Sequence, residues 1–336
     1  MARKNPSKKT DEFDKNDAPE IVKDFDDSRF TLAMDEVVKE SEDMRMRYMK
    51  RHRDRKFLTL TLGLFMALAG AAGFGWFFLI KFNLLYAALC MLPALGVPLL
   101  MHPWSESPVK RYVRDYKAMF MPKMAEALGG FRFHPERGIP RDMIGKTGVI
   151  PGHETYKVED CFTGKYHGVK VTFSEARLIN RAATAPVFQG LFVLLETPSD
   201  VFTGHTIITA DRAMAKRSAG KRWAKLQPVP IQIENKDWDR FVVYSDKPEE
   251  AALLVGEKLL KELSEAADVF GKSELTAVLF RKKFIFMMIP NKTDMFEPSS
   301  MFIPVPSKLQ AMTCRKEIER ILEIIDVFEV YKSSAV

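Results

Sequence analysis

Apolar positions fall into two regimes along this chain: one uninterrupted block over residues 57–101, and short alternating or helically spaced runs after residue 155. The block reads FLTLTLGLFMALAGAAGFGWFFLI from Phe57, then Lys81, Phe82 and Asn83, then LLYAALCMLPALGVPLLM to Met101. Its halves are about 24 and about 18 residues long without a charge, against the ~20 that cross the hydrocarbon core of a bilayer. Lys81 and Asn83 leave room for a tight turn only, so the pattern predicts a transmembrane helical hairpin over 57–101. A cleaved signal peptide is excluded by position, because a long polar segment precedes the first run.

Ahead of the hairpin, Phe30, Met34, Val37 and Val38 recur at helical spacing, with Met44, Tyr48 and Met49 continuing the face and Ser28 available as a cap. This predicts a juxtamembrane basic helix over 28–56. Residues 1–27 mix Lys, Asp, Asn and Pro with few apolar side chains, the composition of a disordered tail. Beyond the hairpin, Trp104 suits a membrane interface. Pro108 can open an amphipathic stalk helix in 102–130, carrying Val109, Tyr112, Val113, Tyr116, Phe120, Met124 and Leu128 and ended by Gly129-Gly130. Residues 131–155 are rich in Gly and Pro and read as a linker.

A soluble domain over 156–332 follows. Tyr156–Phe162 and Val169–Leu178 alternate around a short Thr163–Gly168 loop; Val187–Glu196 and Phe202–Thr209 read as a second strand pair; Val229–Ile233 and Phe241–Tyr244 as two more strands. Asp246 and Pro248 mark a helix start, with Ala252, Val255, Leu259, Leu263, Ala266 and Phe270 on one face and Gly271 as the stop. Leu275–Phe280 and Phe284–Ile289 form a hairpin around Arg281–Lys283. A last helix over 307–331 turns Ile318, Ile321, Leu322, Ile325 and Phe328 inward. The fold class is α+β: a membrane hairpin, then a mostly antiparallel curved sheet with two packed helices. The order of elements also permits a pleckstrin-homology-like barrel.

Charge orients the hairpin. The net charge is +7, and the excess sits beside the apolar block: Arg45, Arg47, Lys50, Arg51, Arg53, Arg55 and Lys56 before it, Lys110, Arg111, Arg114 and Lys117 after it. Cationic flanks stay on the cytoplasmic side, and a two-pass hairpin needs both flanks on one side. Both termini are therefore expected in the cytoplasm. A basic collar attracts anionic lipid headgroups, which accounts for the charge without nucleic acid. Within the first span, Gly63, Ala67, Ala71 and Gly75 form an i, i+4 stripe of small residues, suited to packing against the second helix or to a homo-oligomer.

Candidate chemistry is sparse. Cys90, Cys161 and Cys314 form no CxxC pair. Gly145-Lys146-Thr147 resembles the end of a phosphate loop, but Pro140 stands where the motif needs glycine and Gly148, Pro151 and Gly152 follow instead of a helix. His153, Cys161 and His167 fit no common zinc spacing, and neither a metal nor a cofactor is expected. Glu159, Asp160 and Glu175 on paired strands, with His167, are the raw material for acid–base work. The segment 210–227 places Arg212, Lys216, Arg217, Lys221, Arg222 and Lys225 around Trp223, a basic surface able to meet anionic lipid or a partner.

Six strings then carry a resemblance: Val158-Glu-Asp-Cys-Phe-Thr-Gly164, Phe173-Ser-Glu-Ala176, Val187-Phe-Gln-Gly-Leu-Phe192, Phe202-Thr-Gly204, Phe241-Val-Val-Tyr-Ser-Asp246 and Met295-Phe-Glu-Pro298. With them the chain resembles, from about Met101 to Phe328, a bacterial membrane-protein family known as a domain of unknown function, DUF3137. The resemblance implies a two-helix anchor followed by a cytoplasmic domain, hence a bacterial inner membrane, and transfers no catalytic residue. The Phe-x-Gly strings read as a buried aromatic beside a tight turn. The expected function is a membrane-anchored cytoplasmic interaction module that binds a protein partner or the anionic lipid surface. The alternative is an enzyme built on the acids of the first strand pair.

Overall fold

The computed structural model describes residues 27–231, 240–270, 274–291, 300–302, 312 and 315–326, so the tail expected over 1–27 lies almost wholly outside the described residues, as does Met295-Phe-Glu-Pro298. The chain forms two compact units, one spanning 35–120 with 297–307, the other residues up to 34, 121–296 and 308 onward.

The first of these is built on two long helices. Helix α1 (Asp27–Gly75) passes into a π-turn (Trp76–Ile80), and α2 runs from Leu84 to Ala127. Both are long and apolar enough to cross a membrane. The turn between them closes with Phe82 at φ 47° and with Asn83 Oδ1 accepting the Tyr86 N–H at 3.1 Å, a side-chain cap that starts α2. Little of either apolar stretch is buried within the chain: Leu60, Leu64 and Leu68 on α1 are each more than 60% exposed, and Leu99 and Leu100 on α2 more than 70%. An exposed apolar surface of this extent suits hydrocarbon better than water, which makes both helices candidate membrane spans.

The stalk expected to begin at Pro108 is instead the continuation of α2, which passes through Pro93, Pro98, Pro103 and Pro108 without a break. Proline removes an i→i−4 hydrogen bond, and at Pro108 the orphaned acceptor is the Trp104 carbonyl. It is taken by Arg55 Nη1 at 3.1 Å and Ser107 Oγ at 3.0 Å. Below it the two helices are joined by His52 Nδ1 to the Ser105 carbonyl (3.0 Å), by Tyr48 Oη to Asp115, and by the tilted Tyr48–Tyr112 ring pair.

The other unit is the α+β domain. Its strands are β1 (Arg132–His134), β2 (Thr155–Tyr166), β3 (Val169–Ile179), β4 (Phe188–Glu196), β5 (Thr206–Thr209), β6 (Gln227–Pro228), β7 (Val242–Ser245), β8 (Thr276–Phe280) and β9 (Phe284–Pro290). Among the described residues these form one antiparallel sheet in the order β1-β2-β3-β4-β9-β8-β5-β7-β6. The sheet is open, with β1 and β6 as its edges, so the barrel alternative is wrong.

Three local devices shape it. His167 (φ 48°) and Gly168 (φ 74°) make a two-residue turn, which extends β2 and β3 through most of what reads as a six-residue loop. A bulge between Glu159 and Phe162, with Asp160 at φ 54°, shifts the register of β2. Phe162 thereby lands opposite Phe173, stacked at 4.7 Å, on the face that Glu159 occupies before the bulge. At Gly190 (φ 154°) a Cβ would overlap the Ile289 carbonyl and stand 2.6 Å from Asn291 N, so only glycine lets β9 pass this close to β4.

Val187–Glu196 and Phe202–Thr209 do not pair with each other: β4 lies between β3 and β9, and β5 between β8 and β7. Segment 131–155 is no bare linker, since it contributes β1 and α3 (Arg141–Thr147), with Ile139, Ile144 and Val149 buried in the core. The helix expected from Pro248 to Phe270 is two, α5 (Pro248–Leu254) and α6 (Glu257–Val269), broken where Gly256 turns extended (ψ 172°). The break rotates the buried face, so Ala251 is inward and Ala252 exposed. Residues 315–326 are helical, with Ile318, Ile321, Leu322 and Ile325 buried and Arg320 bonded to Glu265 of α6 at 2.8 Å.

One sheet face carries Leu178, Phe188, Phe192, Ile207, Val278 and Phe286, packed with α3 and with α4 (Arg212–Ala219). Ala277 and Leu279 face the other way and are equally buried, so both faces are covered.

Candidate interaction surface

The basic segment is α4 followed by a 3₁₀ turn (Gly220–Lys225). Asp211 caps α4, its Oδ1 accepting the Met214 N–H at 2.8 Å, and Ala215 and Ala219 face the core. Lys216 and Arg217 fall in the last turn, where the helix dipole favours cations. Gly220, at φ 52°, swings the chain into the 3₁₀ turn, and buried Leu226 draws it back to the sheet.

The six cations of this element, Arg212, Lys216, Arg217, Lys221, Arg222 and Lys225, are all exposed. They are not equivalent. Arg212 lies over the Tyr244 ring at 5.4 Å. Arg222 donates to the Lys146 carbonyl at 2.8 Å and lies across Gly148, where a Cβ would come within 2.9 Å of its Nη1. Trp223, expected within that basic surface, is half-buried against Tyr244 with ring centroids 4.5 Å apart and packs on the core. It is a wedge holding the element down and is not free to enter a membrane. Lys216, Arg217, Lys221 and Lys225 make no ion pair among the described residues. The neighbouring acid, Asp211, is occupied as the cap. The result is an electropositive strip whose exposed non-ionic side chains are Ala213 and Ala224.

Behind the strip lies an arrangement that sequence reading misses. Glu250 accepts from Thr203 N (2.5 Å), Thr203 Oγ1 (2.9 Å) and Gly204 N (2.9 Å), and Asp246 Oδ1 accepts from His205 N at 2.6 Å. Asp246, expected to mark a helix start, instead latches the chain just after Phe202-Thr-Gly204; α5 starts at Pro248, and its N-cap residue Lys247 gives no side-chain cap. The His205 imidazole is held neutral, its pKa pushed down to about 4 by burial and then by the Arg222 guanidinium, with Asp246 and a hydrogen bond to the Thr147 backbone opposing the shift. His205 therefore backs onto the residue that pins the 3₁₀ turn. The hint in the sequence is the recurrence of Asp246 and Glu250 one helical turn apart, which periodicity alone assigns to solvent.

The loop, the latch and the basic strip all lie within residues 186–330, which match a family model described as a protein of unknown function (DUF3137). This stretch is a DUF3137 domain. No curated protein and no solved structure matches the chain. Of the Phe-x-Gly strings, the two in the DUF3137 domain differ: Phe202-Thr-Gly204 is the latched loop, whereas Phe188-Gln-Gly190 lies inside β4. Phe162-Thr-Gly164, ahead of the domain, lies inside β2. All three aromatics are buried, but the expected tight turn is absent from the two strand cases.

The other candidates come together only in part: the sheet sets Glu159 opposite Glu175 and leaves His167 apart. Glu159 and Glu175 are register partners, Glu159 exposed and Glu175 buried, with Asp160 buried in the bulge. His167 sits eight residues along from Glu159, roughly 26 Å at strand rise, stacked on Tyr166 and paired with Asp326 at 3.4 Å. It cannot act with those acids. His153 bonds the Pro151 carbonyl at 2.9 Å, and burial pushes the Cys161 thiol up to about 12. Among the described residues no three His, Cys, Asp or Glu side chains are placed to hold a metal. Gly145-Lys146-Thr147 is the last turn of α3, the negative end of its dipole, with Lys146 bonded to Asp142 at 2.8 Å.

The stripe on α1 divides. Gly63 faces Pro98, but Ala67 and Ala71 are exposed and Gly75 meets nothing within 4 Å. The close approach within the hairpin is made by Gly70, whose Cβ would stand 3.1 Å from Ala94 Cβ, and by Gly73, 2.9 Å from Cys90 Sγ.

Proposed function

We propose that the chain is a membrane-anchored interaction module, inserted in a bacterial inner membrane with both termini cytoplasmic, whose DUF3137 domain docks an acidic protein segment on α4 and the 3₁₀ turn. The observation that carries this reading is the strip of four exposed cations, Lys216, Arg217, Lys221 and Lys225, without an ion-pair partner among the described residues. Cytoplasmic orientation rests on the flanks: Arg47, Lys50, Arg51, Arg53 and Lys56 on α1, and Lys110, Arg111 and Arg114 on α2, are exposed. Arg45 is not part of that collar, being buried on Glu42 (2.5 Å) and the Met301 carbonyl (3.1 Å).

An acidic protein fits the strip better than lipid. Elements that insert into a bilayer surface pair a cationic face with exposed large apolar side chains. Here Trp223 is turned inward and the exposed remainder is alanine. Anionic headgroups then belong to the collar beside the spans, at about 1 kcal/mol per cation.

The test is the full chain in neutral-lipid nanodiscs with labelled poly-glutamate. Binding that weakens with salt and is lost on reversing Lys216, Arg217, Lys221 and Lys225 to Glu supports the docking face. Equal binding by wild type and the reversed variant overturns it. Hydrogen-exchange protection of 212–225 that appears only in anionic nanodiscs moves the strip to lipid.

A further inference from the structure

The chain carries its own acidic segment. Residues 11–26, outside the described residues, contain Asp11, Glu12, Asp14, Asp17, Glu20, Asp24 and Asp26 against Lys15 and Lys23, a net charge of −5. The strip over 212–225 carries six cations and no acid. The segment joins α1 at Asp27, and the first turns of α1 belong to the DUF3137-containing unit: Phe30 is buried beneath the Arg315 guanidinium, 5.0 Å from its ring, and Met34 is buried as well. The acidic segment is thus tethered to the unit that bears the basic strip.

We infer that residues 11–26 dock on the α4–3₁₀ strip of the same chain, as an internal ligand that an external acidic partner must displace. This rests on the reading of the strip as a docking face and names what holds it in the absence of a partner. Reach is sufficient. Sixteen extended residues span roughly 54 Å, whereas a domain of about 180 residues has a radius of gyration near 16 Å. A short tether presents its ligand at an effective concentration of about a millimolar, so a contact too weak to matter between separate molecules is occupied within one chain. The segment also carries Phe13, Ile21, Val22 and Phe25 between its acids. The exposed non-ionic side chains of the strip are alanines, so the contact is electrostatic and yields to salt. A displaceable contact of this kind sets a threshold: the partner must outcompete the seven acids of 11–26, which share their tether with Arg3, Lys4, Lys8 and Lys9.

The experiment keeps the full chain in neutral-lipid nanodiscs. A photo-crosslinking benzoyl-phenylalanine replaces Phe13, and labelled poly-glutamate is the external probe. A second variant changes Asp11, Asp14, Asp17, Asp24 and Asp26 to Asn and Glu12 and Glu20 to Gln. The inference expects crosslinks within 212–225 at low salt, lost in high salt and on reversing Lys216, Arg217, Lys221 and Lys225 to Glu. It also expects poly-glutamate to bind the neutralised variant at least about tenfold more tightly than wild type. Crosslinks elsewhere, with equal poly-glutamate affinity for the two forms, overturn the internal ligand and leave the docking face standing. Crosslinks on the strip, with no poly-glutamate binding even to the neutralised variant, support the internal contact and overturn the docking face for outside partners. Crosslinks between differently tagged copies place the segment on a second chain and overturn the intramolecular form.

Discussion

Arg55 holds the Trp104 carbonyl at 3.1 Å, and that oxygen is available because Pro108, four residues on, has no N–H to give it. The same guanidinium lies 4.6 Å above the Trp104 ring and 2.5 Å from Ser107 Oγ. One arginine on α1 thus repairs a proline defect in α2 and ties the two helices where the apolar spans end. Arg55→Ala should destabilise the helix pair by about 1 kcal/mol or more. In a Pro108→Ala background, where the carbonyl regains its helical donor, the loss should shrink. Thermal unfolding of the four variants of this cycle in detergent measures the difference, and equal losses in both backgrounds would refute the link.

Packing inside the hairpin depends on Gly70 and Gly73 rather than on the whole i, i+4 stripe. Gly73→Leu should push α2 away and raise the maleimide labelling rate of Cys90, whose Sγ lies against that glycine. Ala71→Leu, on an exposed position, should leave the rate unchanged. The reverse ranking would mean that the spans pack on the stripe predicted by spacing.

Gly190→Ala should cost roughly 3 kcal/mol or more, because the new methyl overlaps backbone atoms of β9 that no rotamer can move. Gly204→Ala should cost less, since its nearest neighbour is the Lys247 side chain at 3.0 Å. Denaturant unfolding of the two variants, followed by Trp fluorescence, ranks them.

A half-buried histidine and a buried glutamate give the α+β unit opposing pH dependences. The His205 pKa falls to about 4 by burial, below the unfolded value near 6.5, so its contribution is present above pH 6.5 and is lost as pH falls toward 4. Glu317 is pushed up to about 7, also by burial, so its contribution is present below about pH 4.5 and is lost as pH rises through 7. The two slopes offset each other in wild type between pH 4.5 and 6.5. Glu317→Gln should unmask a protein that weakens on acidification, and His205→Gln one that strengthens, each by about 2 kcal/mol across the window. Melting temperatures from pH 4 to 8 that move the same way in both variants would show that other groups dominate.

From the sequence alone, the hairpin, its turn at Lys81–Asn83, the β8–β9 hairpin and the α+β class were all legible, because each rests on local information. A run of apolar residues has one low-energy solvent, and period-2 or period-3.6 spacing requires no distant partner. The basic strip was legible as composition for the same reason. Tertiary structure decided what depends on non-local pairing. Strand order put β9 beside β4 and β8 beside β5, joining segments far apart in sequence. The Asp160 bulge reversed which face Phe162 occupies, a one-residue event that alternation cannot foresee. Only packing showed that Trp223 is a wedge on Tyr244, that Arg222 caps α3, and that Asp246 and Glu250 hold the 203–205 loop. A side chain's role follows from which backbone carbonyl or ring lies within a few ångströms of it, and that neighbour comes from another part of the chain.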